Sequence, residues 1–163
     1  MSILIFENRT PRSMEKMYHY MFDERKTDLG GIFGLGVNPQ YAVQEMKFVQ
    51  DIYFRNNLTH PYLQVIFCFD VGVSYDTLML RQICMEIGNC LILDQRQIFG
   101  AIHYKNTEKK HCHYMINTVG IRGSLYRQQH SVIFYKDRVN QVLRRYRLNP
   151  LEYYGRPCSE KAG

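Results

Sequence analysis

An α+β fold, with a central antiparallel β-sheet and helices packed mainly on one face, is what the sequence predicts. Three observations point to it. Four segments carry apolar residues at helical spacing, and others are short β-branched and aromatic runs. The inferred order is β-α-α-β-α-β-β-α, with a hairpin near the end.

"SILIF" (2–6) reads as the first strand. "SMEKMYHYM" (13–21) follows Pro11 and sets Met14, Met17, Tyr18 and Met21 on one stripe, which predicts a helix. "TDLGGIFGLG" (27–36) is rich in glycine but does not have the order G-x-G-x-x-G, and it reads as a flexible connection. Asn38-Pro39 is a helix start, and Ala42, Met46, Val49 and Tyr53 carry that helix to about Arg55. "YLQVIFCF" (62–69), bounded by Pro61 and Asp70, reads as a buried strand. Ser74 can cap a helix with the stripe Leu80, Ile83, Cys84, Ile87 and Leu91. Two strands, about 98–104 and 111–119, flank the polar turn "KNTEKK". The last helix, about 131–147, lines up Val132, Tyr135, Val139, Val142, Leu143 and Tyr146, and Asn149-Pro150 ends it. The organisation expected is one domain over 1–148 and a weakly structured tail over 149–163, leading to a further region.

The formal charge is +6, from 21 Lys and Arg against 15 Asp and Glu, and the isoelectric point is near 9.1. Such a balance suits a polyanionic partner. The five cysteines are scattered and form no C-x-x-C pair, so neither a zinc ribbon nor a disulfide framework is indicated. "MSILIF" is too short for a signal-peptide core, and no apolar run reaches the length that spans a bilayer. The setting expected is a reducing cytoplasm, without membrane insertion.

The stretch "AIHYKNTEKKHCHYMINTV" (101–119) concentrates the chemistry. Side chains alternate along a strand, so His111 and His113 share one face while Cys112 takes the other with Tyr114 and Ile116. An isolated H-x-H reads as two solvated histidines. Here His103 lies on the neighbouring strand, and if it pairs with His111 or His113 all three imidazoles converge. Three facial imidazoles leave open positions on a metal ion, and by themselves suit zinc, iron, manganese or nickel.

His103, a seven-residue gap and "HCHYMIN" together resemble the HUH motif of DNA relaxases, the mobilisation nucleases of conjugative plasmids and integrative elements. The likeness is to the branch with one N-terminal tyrosine: "YMFDERK", Tyr20 to Lys26, resembles its nucleophile segment. "TVGIRGSLYRQQHS", followed by a basic helix, resembles what comes after the histidines in those proteins. Many members carry an acidic residue shortly after the first histidine; Tyr104, Lys105 and Asn106 stand there in this sequence. The resemblance therefore names no carboxylate to orient an imidazole.

The resemblance implies an HUH endonuclease palm-like fold and one divalent ion, Mn2+ or Mg2+, on His103, His111 and His113. It implies nicking of single-stranded or locally melted DNA at a transfer origin through a 5′-phosphotyrosine, then strand transfer or rejoining. Relaxosome accessory proteins and a coupling protein are the implied partners, in a bacterial cytoplasm. Among thirteen tyrosines, Tyr18 falls on the methionine stripe, whereas Tyr20 is turned away from it and His19 points to the far side. Tyr146 is the competitor, because HUH transposases and replication initiators place their tyrosine on a helix after the histidines. Tyr146 and Tyr135 fall on the apolar stripe of the last helix, which favours packing and leaves Tyr20 as the expected catalytic residue. Candidate DNA contacts are Lys26, Arg25, Arg122, Arg127, Arg144 and Arg145. Asn117, on the same face as His111 and His113, is a candidate support for the site. A rival reading is a basic, non-catalytic DNA-binding accessory protein with incidental histidines.

Overall fold

The computed structural model describes residues 1–7, 13–128 and 130–152. Five strands form one antiparallel sheet: β1 (Ile3–Glu7), β2 (Ile32–Leu35), β3 (Tyr62–Cys68), β4 (Ile98–His103) and β5 (His111–Asn117), in the order β1-β3-β5-β4-β2. Four helices complete the fold: α1 (Met14–Met21), α2 (Ala42–Ile52), α3 (Thr77–Cys90) and α4 (Val132–Arg145). The α+β architecture is the one expected, and β5 lies at the centre of the sheet.

The helices divide between the two faces, two on each, and do not pack mainly on one as expected, because both faces of the sheet carry apolar side chains. The longer pair, α3 and α4, covers the face that carries Val65, Phe67, Ile98, Ile102, Cys112, Tyr114 and Ile116. The stripe expected for α3 is buried along its whole length, and Tyr114 donates a hydrogen bond from its hydroxyl to the Cys84 carbonyl, 2.7 Å away. The shorter α1 and α2 cover the opposite face, packing Met14, Met17, Met21, Ala42, Val43 and Met46 against Phe99, Ala101 and Met115. Burial of this kind stabilises by about 25 cal/mol per Å² of apolar area, so both faces drive folding.

Three local expectations differ from the structure. Asp76 caps α3, its side chain accepting from the Met79 amide at 2.8 Å; Ser74 lies two residues too early to do so. A single 3-10 turn, Pro39–Tyr41, precedes α2, which stops at Ile52 instead of Arg55 because Phe54 takes a left-handed backbone (φ 54°). Residues 32–35 are a strand, not a flexible connection, and they pair with β4 along Ile98–Ala101. The glycines there serve close approach. A Cβ at Gly34 would fall 1.9 Å from the Val37 carbonyl oxygen, and one at Gly31 would fall 2.2 Å from Thr27 Oγ1.

The chain stays packed as far as Leu151, which is buried, bridges Ser2 and donates from its amide to Asn140 Oδ1 at 2.7 Å. The rest of the expected tail, from 153, lies outside the described residues, as does the Pro11 expected to precede α1. No described helix is long and apolar enough to cross a membrane. Because Gly34 meets main chain and not a flexible side chain, Gly34→Ala is expected to destabilise by about 2 kcal/mol or more, read as a lowered urea midpoint with an unchanged m-value.

Candidate active site

His103 pairs directly with His111 in the β4–β5 ladder, and Ala101 pairs with His113. The even register puts all three imidazoles on the face covered by α1 and α2, while Cys112 is sealed beneath α3. Ring centroids lie 5.0 Å apart for His103 and His111, 4.6 Å for His103 and His113, and 5.0 Å for His111 and His113. One nitrogen from each ring lies within 4.8 Å of the others. His103 and His113 are almost fully buried and His111 is half-buried.

Hydrogen bonds assign the tautomers of two rings. The Nε2–H of His103 donates to the Met21 carbonyl at 2.8 Å, and the Nδ1–H of His111 donates to the Lys109 carbonyl at 3.0 Å. Their other nitrogens, Nδ1 of His103 and Nε2 of His111, then face each other as acceptors 3.2 Å apart. Two lone pairs so placed repel unless positive charge lies between them. His113 Nε2 is buried with no hydrogen-bond partner among the described residues. Three inward imidazole nitrogens this close together fit a bound cation. Burial, with further help from the neighbouring rings and Lys26, keeps both deep histidines neutral. The pKa of His103 falls to about 4 because burial outweighs the opposing hydrogen bond to the Met21 carbonyl, and that of His113 falls well below its ordinary value.

Tyr20 stands over this cluster from the last turn of α1. Its ring is 5.4 Å from that of His113 and 6.0 Å from that of His103, edge-on to both. The next segment brings Lys26 back across it, with Nζ 4.5 Å from the Tyr20 ring centroid. Main-chain bonds set that position: the amides of Tyr104 and Lys105 both donate to the Lys26 carbonyl, at 3.0 and 3.1 Å. A cavity of about 380 Å³ opens beside His103 and His111, lined also by Arg25, Lys26, Lys105, Asn106 and Thr107.

The other tyrosines have different surroundings. Tyr18 stacks on Phe99 at 4.7 Å and donates to the Pro39 carbonyl at 3.0 Å. Tyr146 caps α4 on the opposite side of the sheet, donating to Glu86 and accepting from Gln82 at 3.1 Å. The Glu86 carboxylate raises the pKa of Tyr146. Tyr135 is buried against Phe6.

The remaining candidates are dispersed. Arg25 lines the cavity but is clamped by Asp23, with Nη2 to Oδ2 at 2.7 Å. Arg145 pairs with Glu86 across the α3–α4 side and Arg144 follows the same helix, so neither shares the face of the histidines. Arg122 and Arg127 lie in the exposed segment after β5, beyond the end of the strand opposite His111. Asn117 shares the face but does not support the imidazoles, because its hydrogen-bonding capacity is spent elsewhere. Its Oδ1 accepts from Gln50 and the Val119 amide at 2.9 and 3.0 Å, and its Nδ2 donates to the Met46 carbonyl and Gln97 at 3.2 and 3.0 Å. It ties α2 to the sheet.

Tyr104 donates its hydroxyl to Asp28 and so braces the loop that carries Lys26. One contact was not anticipated: Gln64 Nε2 lies 3.2 Å from His113 Nδ1. A lone polar residue in the apolar run "YLQVIFCF" was the available signal.

The sequence model of the MobA/VirD2-like relaxase nuclease domain matches residues 14–148. A solved structure from work on the molecular basis of vancomycin resistance transfer in Staphylococcus aureus matches at a TM-score of 0.61 and 13% identity. The match covers 94% of this chain and 100% of that one, and the likeness is one of fold. No curated protein matches the sequence.

The buried histidines make acid stability testable. The folded pKa of His103 is depressed below its unfolded value, so its contribution is fully present above about pH 6.5 and is lost as pH falls towards 4. With a chelator present, the thermal midpoint is expected to drop on acidification from pH 7 to pH 4, with about 3 kcal/mol from His103 alone. In His103→Gln that slope is expected to shrink; an unchanged slope would contradict the assignment.

Proposed function

The chain belongs to the MobA/VirD2-like relaxases and is a DNA relaxase; on that premise we propose that Tyr20 is its nucleophile and that His103, His111 and His113 hold a divalent cation, Mn2+ or Mg2+. The observation that carries this reading is the convergence of Tyr20, Lys26 and three inward imidazole nitrogens beside one basic cavity. The substrate is single-stranded or locally melted DNA at a transfer origin. The nuclease is assigned to residues 1–148, working in the cytoplasm with accessory and coupling proteins.

When bound, the cation supplies positive charge against the phosphate oxygen on which negative charge develops. Neutral imidazoles leave that charge undiminished, which burial of His103 and His113 ensures. A phenol ordinarily loses its proton near pH 10, and the Lys26 ammonium over the Tyr20 ring favours the phenoxide. The phenolic oxygen attacks phosphorus in line as the bond to the 3′ oxygen breaks. The products are a 5′-phosphotyrosine and a free 3′-hydroxyl, the latter taking up the proton equivalent that the phenol gave up. The covalent link conserves the phosphodiester's energy, so rejoining runs the same step backwards without ATP. Arg25, Lys105 and Thr107 line the approach and would contact flanking phosphates.

The test is a denaturing gel with 5′- and 3′-labelled origin oligonucleotides and Mn2+. Wild type is expected to form a protein adduct with the 3′-side fragment only, lost in Tyr20→Phe and with EDTA. Lys26→Met is expected to slow adduct formation about tenfold, or about 1.4 kcal/mol in the barrier. An adduct that survives Tyr20→Phe would move the nucleophile to another tyrosine.

A further inference from the structure

His113 differs from the other two histidines in what stands behind it. The Met21 and Lys109 carbonyls only accept, so they fix the protonated nitrogens of His103 and His111 permanently. Behind His113 is a side-chain amide, that of Gln64 on β3. An amide presents either a donor or an acceptor to the same partner after a half-turn about its last bond. In the structure its nitrogen faces the ring, 3.2 Å from Nδ1. That arrangement makes Nδ1 the acceptor and puts the His113 proton on Nε2, the buried atom that has no partner among the described residues. A cation can be bound through Nε2 only when the proton has moved to Nδ1. Gln64 must then offer Oε1 in place of Nε2.

We propose that Gln64 is a positioning residue whose amide turns over when the three histidines take up a divalent cation, converting His113 from its Nε2–H to its Nδ1–H tautomer. This rests on the cation site described under Proposed function. No proton enters or leaves His113 in the exchange; one nitrogen gains what the other gives up. A carboxylate at position 64 accepts only, and would hold the Nδ1–H form in both states. The neutral amide instead leaves the metal-free ring in its other form, so cation binding must work against a tautomer preference. Partners of this kind typically change metal affinity by about 10–100-fold.

The experiment uses the full chain, with ring 15N NMR of the metal-free and Zn2+-loaded protein and competition titrations with Mn2+. Wild type is expected to show Nε2–H at His113 without metal and Nδ1–H with Zn2+. Gln64→Glu is expected to show Nδ1–H in both states and to bind Mn2+ at least about tenfold more tightly. Gln64→Leu, checked for folding by its thermal midpoint, is expected to bind more weakly. Cation binding by wild type with Nδ1–H already present in the metal-free state would overturn the proposal, as would Gln64→Glu binding with wild-type affinity. Failure of wild type to bind either cation would overturn the cation site itself, and is distinguished by the titration alone.

Discussion

Across β4 and β5, His103 and His111 occupy one register pair, and every other feature of the site depends on that pairing. A slip of one residue would turn His111 and His113 into the apolar layer beneath α3 and bring Cys112, Tyr114 and Ile116 out. What prevents the slip is that apolar layer. Cys112 and Tyr114 are fully buried among the α3 residues, and the Tyr114 hydroxyl is tied to Cys84. Packing on one face of the sheet therefore sets the geometry of the polar groups on the other.

The face that carries the histidines is built with less apolar mass and more main-chain bonding. The end of α1 leaves carbonyls without helical partners, and one of them, that of Met21, receives the imidazole N–H of His103. The same turn carries Tyr20, and the segment after it is pinned to the β4–β5 turn through the Lys26 carbonyl. Helix end, tyrosine, lysine and histidine are thus positioned by a few bonds between one loop and one hairpin. Asp28, held below the usual carboxylate range chiefly by the Tyr104 hydroxyl and then by Lys105, closes that connection.

Much of this was legible in the sequence, because it follows from period and parity. Strand alternation put His111 and His113 on one face and Cys112 on the other, and helical spacing separated Tyr20 from the Tyr18 stripe. The strand at 32–35 was hidden because glycine reads as freedom, whereas Gly34 is there to let Val37 approach. The outer partners of His103 and His111 were hidden for a different reason: they are main-chain carbonyls, which carry no residue identity. Asn117 misled because sharing a face is not sharing a place. It lies two register pairs along the strand from Met115, in reach of α2 and not of the imidazoles.

Met21, whose carbonyl accepts from the His103 imidazole, directly follows Tyr20 in the chain. In the proposed reaction the cut strand hangs from Tyr20, and any tension on that strand enters the protein at the last turn of α1. One residue further on, the Met21 carbonyl joins that turn to the His103 imidazole. Load on the DNA would then have a short route, through one main-chain carbonyl, to the histidine cluster.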